Sequence, residues 1–371
     1  MPGKRPAPPE PVAFLVEYAS TPGPMWINDE EASPHIEAFP NEVGQFSPRW
    51  VSLPRRKVVA LTNVMALPVG ARKVPLYDPT GDARLISIRP GSAGGRRFLF
   101  VSEGFGDDGF DRFAQAAERM AAGLLKNAPF DQAAGSIRIE ALYLPLRGGA
   151  VVNIGCRQSP ADVATLRPTL FGTQSCVGAT LERLWAGDED RVRTLAERAL
   201  GTMRPPILLA DFDFVAVLID SDVYGGAGSV DVAAKRPRIA WATTGHADSI
   251  EILLHELGHA FGLQDEYEDK YEGPPKPWRN ISAHPEPKNT PWQSLVTEER
   301  DSLTLATGGS WTGRNDGVGT FEGAGYESRH RFRPSVDCRM RHLGKPFCPV
   351  CAAVIHSKLD PTIPTPIAEE Q

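Results

Sequence analysis

One segment limits the fold more than any other: Asp248-Ser-Ile-Glu-Ile-Leu-Leu-His-Glu-Leu-Gly-His-Ala-Phe-Gly-Leu-Gln-Asp-Glu-Tyr267. Its first half reads as a helix, with Asp248 and Glu251 placed as a capping box and Ile250, Leu253, Leu254 and Leu257 available for an apolar face. Residues four apart on a helix lie one above the other, so His255 and His259 present both imidazoles to one point. Glycine tolerates the left-handed geometry that ends a helix, and Gly262 is placed to release the chain and return Asp265 toward the histidines. Two imidazoles and a carboxylate are a donor set for zinc, and three protein ligands leave a fourth position open to water. Glu256, beside the first histidine, is placed to take a proton from that water, so the pattern is one of metal-assisted hydrolysis. A lone histidine on an apolar face is more often packing than chemistry. That reading is harder to sustain for His, Glu, His, Gly and Asp at this spacing in a chain with 8 histidines.

The third ligand is the least constrained. The H-E-x-x-H-x-x-G-x-x-H pattern of metzincin peptidases has histidine where this chain has Asp265, although carboxylate oxygen is an accepted zinc donor. Glu266 is the alternative ligand, and a solvated acidic turn the plainer reading of both. Metzincins also place a methionine turn beneath the metal, and Ser335-Val-Asp-Cys-Arg-Met-Arg-His342 offers Met340 for it, with core filling as the competing role. His342 is a candidate oxyanion stabiliser, a surface or packed histidine being the alternative.

Around this segment, 35 glycines and 34 prolines predict short elements separated by ordered loops. Short β-rich runs fill 12–90; after Pro90-Gly-Ser-Ala-Gly-Gly-Arg96 the pattern becomes an alternation of strands and helices. We therefore expect a disordered tail over 1–11, a small β-rich module over 12–92, an α/β (α+β) domain with a mixed sheet over 93–358, and a disordered tail over 359–371. Within the larger domain, strands are expected at 97–102, 136–144, 151–154, 214–219 and 239–243, and helices at 108–126, 179–185 and 190–200. The balance of 40 Lys and Arg against 46 Asp and Glu, with no basic stripe, argues against nucleic acid as a partner. No apolar run approaches the roughly 20 residues that span a bilayer, and the N-terminus lacks the apolar core of a secretory signal. The expectation is a protein that is not membrane-bound and is cytoplasmic by default, with export by another route open and the oligomeric state unspecified.

The chain resembles the bacterial IgA-type metallo-endopeptidases. The resemblance rests on an ordered series: Val101-Ser-Glu-Gly-Phe-Gly106, Tyr224-Gly-Gly-Ala-Gly-Ser229, the His255 to Tyr267 stretch, Val318-Gly-Thr-Phe-Glu-Gly-Ala-Gly-Tyr326, Arg331-Phe-Arg-Pro334, Cys338-Arg-Met340 and Pro346-Phe-Cys-Pro-Val-Cys351. It implies a metzincin-like zinc peptidase domain, one catalytic Zn2+ on His255, His259 and Asp265, Glu256 as base, Met340 in the methionine turn, and a polypeptide substrate. A module that retains zinc without turnover is the rival from another class.

Three further features stay open. The loops between Tyr267 and Asp337 carry Trp278, Trp292, Trp311 and Phe321, which either contact substrate or pack the loops themselves. The segment 239–245 is either an edge strand for an extended substrate or an ordinary sheet strand. Cys338, His342, Cys348 and Cys351 have the make-up of a structural zinc site but an unusual spacing, against a disulfide or buried thiols.

Overall fold

The computed structural model describes residues 79–146, 169–177, 181–185, 187–228, 237–269, 278–296, 317–360, 362–364 and 367, together with the backbone of five strands before them. Those strands are β1 (Val12–Tyr18), β2 (Pro24–Asn28), β3 (Pro34–Pro40), β4 (Phe46–Ser52) and β5 (Pro68–Pro75). They are followed by β6 (Arg84–Arg89), β7 (Arg97–Glu103), β8 (Arg138–Tyr143), β9 (Gln174–Val177), β10 (Leu181–Trp185), β11 (Phe214–Ile219), β12 (Gly226–Gly228), β13 (Arg238–Thr243), β14 (Phe321–Ala324) and β15 (Glu327–Arg333). The helices among the described residues are α1 (Phe110–Leu124), α2 (Glu189–Gly201), α3 (Ser249–Ala260) and α4 (Pro349–Leu359). The chain divides into two compact units that alternate along the sequence. One comprises Met1–Arg84, Glu103–Phe110 and Leu144–Ile207, the other Leu85–Ser102, Asp111–Tyr143 and Leu208–Gln371.

In the first unit β1 pairs antiparallel with β2 and β5, and β3 with β4. Helix α2 starts at Asp188, whose carboxylate accepts the Arg191 N–H at 2.8 Å, and buries Val192, Leu195, Ala196, Ala199 and Leu200 on one face. The helix expected over 179–185 is instead the strand β10, paired antiparallel with β9. So short a segment gains too few helical hydrogen bonds to offset nucleation, whereas β9 satisfies its backbone directly. The strand expected at 151–154 lies outside the described residues.

The second unit is built on a mixed six-stranded sheet in the order β12-β13-β11-β7-β8-β6. β7 with β8 and β11 with β13 run parallel, while β12 closes one side antiparallel to β13. Every residue of β11, Phe214-Val-Ala-Val-Leu-Ile219, is buried, as the continuous apolar run requires of a strand covered on both faces. The strand at 84–89, which sequence grouped with the N-terminal β runs, is the far edge of this sheet. β13 is interior, so the segment 239–245 is an ordinary strand, and the edge role falls to β12. In the segment 359–371, read as a disordered tail, Leu359 completes α4, Thr362 folds back onto the Asp360 carboxylate and Ile367 is buried.

Helix α3 lies against β13 and β12 and buries Ile252, Leu253, Leu254 and Leu257. Its C-terminus is held by cations, as the helix dipole favours: Arg238 donates to the Ala260 carbonyl at 3.0 Å and Lys358 to that of Phe261. Phe261 stacks on Phe214 with ring centroids 4.2 Å apart and meets Phe130 edge-on at 5.7 Å. Truncating a buried aromatic costs about 3–5 kcal/mol. Phe261→Ala is expected to lower the urea midpoint by a corresponding amount; a loss under about 1 kcal/mol would show that this cluster does not anchor α3.

Candidate metal centre

The site grows from the end of α3. Gly262 adopts φ +89°, its N–H bonds the His259 carbonyl at 2.7 Å, and the Leu263 N–H reaches back to the Gly258 carbonyl at 3.0 Å. This pairing is the Schellman termination, and it turns the chain back along the helix's last turn. The following residues are pinned from two sides. Glu266 N–H donates to the Met340 carbonyl at 2.8 Å, and Gly325 N–H to the Asp265 carbonyl at 2.9 Å.

Asp265 consequently faces both histidines, as the sequence predicts. Its Oδ1 lies 3.0 Å from His255 Nε2 and 3.4 Å from His259 Nε2. That oxygen is buried and makes no hydrogen bond of acceptable geometry. Each histidine is oriented through its other nitrogen. His255 Nδ1 is 3.0 Å from the Arg339 carbonyl, and His259 Nδ1 is 3.0 Å from the Leu263 carbonyl. A carbonyl only accepts, so both Nδ1 atoms carry protons, and Nε2 is the nitrogen that each ring turns toward Asp265. A Glu256 oxygen lies within 4.8 Å of a ring nitrogen from each histidine.

Electrostatics follow from this crowding. Burial opposes the His259 imidazolium, but the neighbouring Asp265 charge outweighs it and the pKa is pushed up to about 9. His255 moves upward for the same reasons. Burial would raise the Asp265 carboxyl, yet the two imidazoles hold it well below the usual carboxylate range. In this state a cation entering between the rings replaces protons with a metal charge.

Met340 is fully buried under α3. A Cβ added at Gly258 would sit 2.4 Å from its sulfur, so only glycine permits the approach. The loop that presents Met340 and the Arg339 carbonyl is tied down by the Arg339 side chain. Its Nη2 lies 3.0 Å from Glu251 Oε2 and 3.2 Å from Asn127 Oδ1, and the guanidinium covers Phe347. The expected capping box at Asp248 therefore does not form: Glu251 also accepts the Gly344 N–H at 3.0 Å, and Asp248 makes no side-chain cap.

Other sequence candidates are placed elsewhere. His342, the candidate oxyanion stabiliser, is exposed, with its Nδ1 2.7 Å from Asp337 Oδ1. Glu266, the alternative ligand, is buried with its Oε1 accepting from Asn280 Nδ2 and the Cys351 thiol, both at 3.1 Å, and so is engaged away from the histidine pair. Trp278, Trp292 and Phe321 are buried packing residues; Trp292 Nε1 donates to the Gly319 carbonyl at 2.8 Å. Trp311 lies outside the described residues. Sequence reasoning missed Tyr326, whose hydroxyl donates to Asp265 Oδ2 and whose backbone holds φ 72°. The glycine-rich turn Gly323-Ala-Gly-Tyr326 was the available signal.

No curated protein matches the chain. The family model for IgA peptidase M64 matches residues 91–308, more than half of the chain and inclusive of α3 and Asp265. The chain thus belongs to the IgA peptidase M64 family of metallopeptidases: it is a hydrolase whose substrate is a polypeptide.

Proposed function

We propose that this peptidase is a zinc-dependent endopeptidase in which His255, His259 and Asp265 hold the ion and Glu256 is the general base. The observation that carries the reading is the convergence of two Nε2 atoms, the opposite nitrogen of each ring held by a main-chain carbonyl, on a buried carboxylate oxygen without a hydrogen bond. Two imidazole nitrogens and one oxygen suit zinc and leave a position for substrate or water. Zinc held there supplies Lewis acidity, lowering the pKa of a coordinated water to roughly 7 and polarising the scissile carbonyl.

The chain's own residues do the rest. Glu256 accepts the proton of the attacking water and delivers it to the leaving amine nitrogen. Tyr326 is a positioning residue: burial and the neighbouring Asp265 charge keep its phenol protonated, and that proton engages Oδ2 while Oδ1 faces the histidines. Met340 serves as a metzincin-type methionine turn, its sulfur against Gly258 and the preceding carbonyl orienting His255. β12 is the edge strand of the sheet among the described residues and its backbone runs tight against Glu256 and His259, which suits it to pair with an extended substrate.

Glu256→Ala is expected to keep the parent's zinc content by elemental analysis and to lose at least a hundredfold in cleavage of denatured protein, within the range for loss of a general base. Cleavage at the parent's rate would exclude that role. For Tyr326→Phe, the zinc concentration that restores activity to the chelated enzyme should rise about tenfold, as loss of a carboxylate's hydrogen-bond partner predicts. An unchanged requirement would remove Tyr326 from the metal's support.

A further inference from the structure

Behind the segment that carries Asp265 lies a second convergence of metal-binding atoms. Sulfurs of Cys338, Cys348 and Cys351 and one carboxylate oxygen of Glu266 all lie within 4.8 Å of one another. All four residues are buried, Glu266 at 0 % exposure, and none of the three cysteines is in a disulfide. The carboxylate is half satisfied: Oε1 accepts from Asn280 Nδ2 at 3.1 Å and from the Cys351 thiol at 3.1 Å, whereas Oε2 is buried without a hydrogen-bond partner. A fully buried carboxylate beside three thiols is costly unless something positive shares the space; the buried Arg333 guanidinium bears on it electrostatically, but Arg333 Nη1 donates to the Glu322 and Gly323 carbonyls and Glu266 Oε2 is left without a hydrogen bond.

The local backbone is arranged for sulfur as acceptor. The Cys348 N–H points to Cys338 Sγ at 3.2 Å, and the Cys351 N–H to Cys348 Sγ at 3.5 Å. Cys348 is the N-cap of α4, so its sulfur sits where the helix's partial positive charge favours an anion. Cys348-Pro-Val-Cys351 supplies the two-residue spacing common in structural zinc sites. From sequence the fourth donor was His342; its exposed pairing with Asp337 removes it, and Glu266 takes that place.

We propose that Cys338, Cys348, Cys351 and Glu266 form a closed structural zinc site, separate from the histidine centre. Three sulfurs and one oxygen fill a tetrahedron at bond lengths of about 2.3 and 2.1 Å and leave no position for substrate. Asn280 holds the carboxylate in place. The site would join three pieces of chain: the segment bearing Asp265, the loop bearing Met340, and the start of α4.

The proposal does not depend on the histidine centre, and the test separates them. Full-length His255→Ala/His259→Ala protein is expected to bind one zinc per chain and, reconstituted with cobalt instead, to show thiolate-to-metal charge-transfer absorption. Folded variant with no zinc, or cobalt bound without that absorption, would overturn the site. Should the variant fail to fold, the unaltered protein decides. Alkylation of Cys338, Cys348 and Cys351, mapped by peptide mass spectrometry, is expected to rise more than tenfold when zinc is chelated. Equal protection before and after complete zinc removal, or a disulfide among the three cysteines, would refute it. Glu266→Gln, which keeps a partner for Asn280, should weaken the cysteine-held zinc at least tenfold, and an unchanged affinity would strike Glu266 from the ligand set.

Discussion

With φ at +89° and hydrogen bonds from its own N–H to His259 and from the Leu263 N–H to Gly258, Gly262 ends α3 within one residue and folds the chain back on the helix. Much of the centre is measured from that reversal. The Leu263 carbonyl, delivered by the same turn, accepts the proton of His259 Nδ1. Two residues later Asp265 meets both rings, and one residue beyond that Glu266 enters the cysteine cluster. A residue with a Cβ at position 262 would oppose the required backbone geometry and crowd Lys358 and Arg238, the cations that cap the helix.

The turn alone does not orient His255, whose Nδ1 depends on a carbonyl supplied from residue 339. The chain solves this by using Arg339 twice, its main chain toward the histidine and its guanidinium as the anchor of the loop. Glu251 is drawn into that anchor instead of capping its own helix. The trade gives up a surface cap, a contribution of about 1 kcal/mol, for the loop whose carbonyl orients His255.

What sequence made visible was whatever local period and spacing control. β11 and β13 stood out as unbroken apolar runs, α1 by one apolar face, and α3 with its paired histidines by the four-residue repeat. The return of Asp265 was legible because Gly262 is a turn signal at fixed distance. Contacts that join distant parts of the chain carry no such rule. Tyr326 reaches Asp265 across 61 positions, Arg339 reaches Asn127 across 212, and Cys351 reaches Glu266 across 85. Strand β10 escaped for a different reason: five residues contain too little period to separate helix from strand.

Gly226 and Gly228 face Glu256 and His259, where an added Cβ would stand 2.5 to 3.0 Å from their atoms or their neighbours. With only Ala227 between them, this rim of the sheet is almost bare main chain. Amides and carbonyls are the one part of a polypeptide that does not change with its sequence. A substrate strand paired with this rim, as proposed, would be held by main-chain hydrogen bonds alike for every sequence, and selectivity among proteins would fall to side chains elsewhere around the cleft.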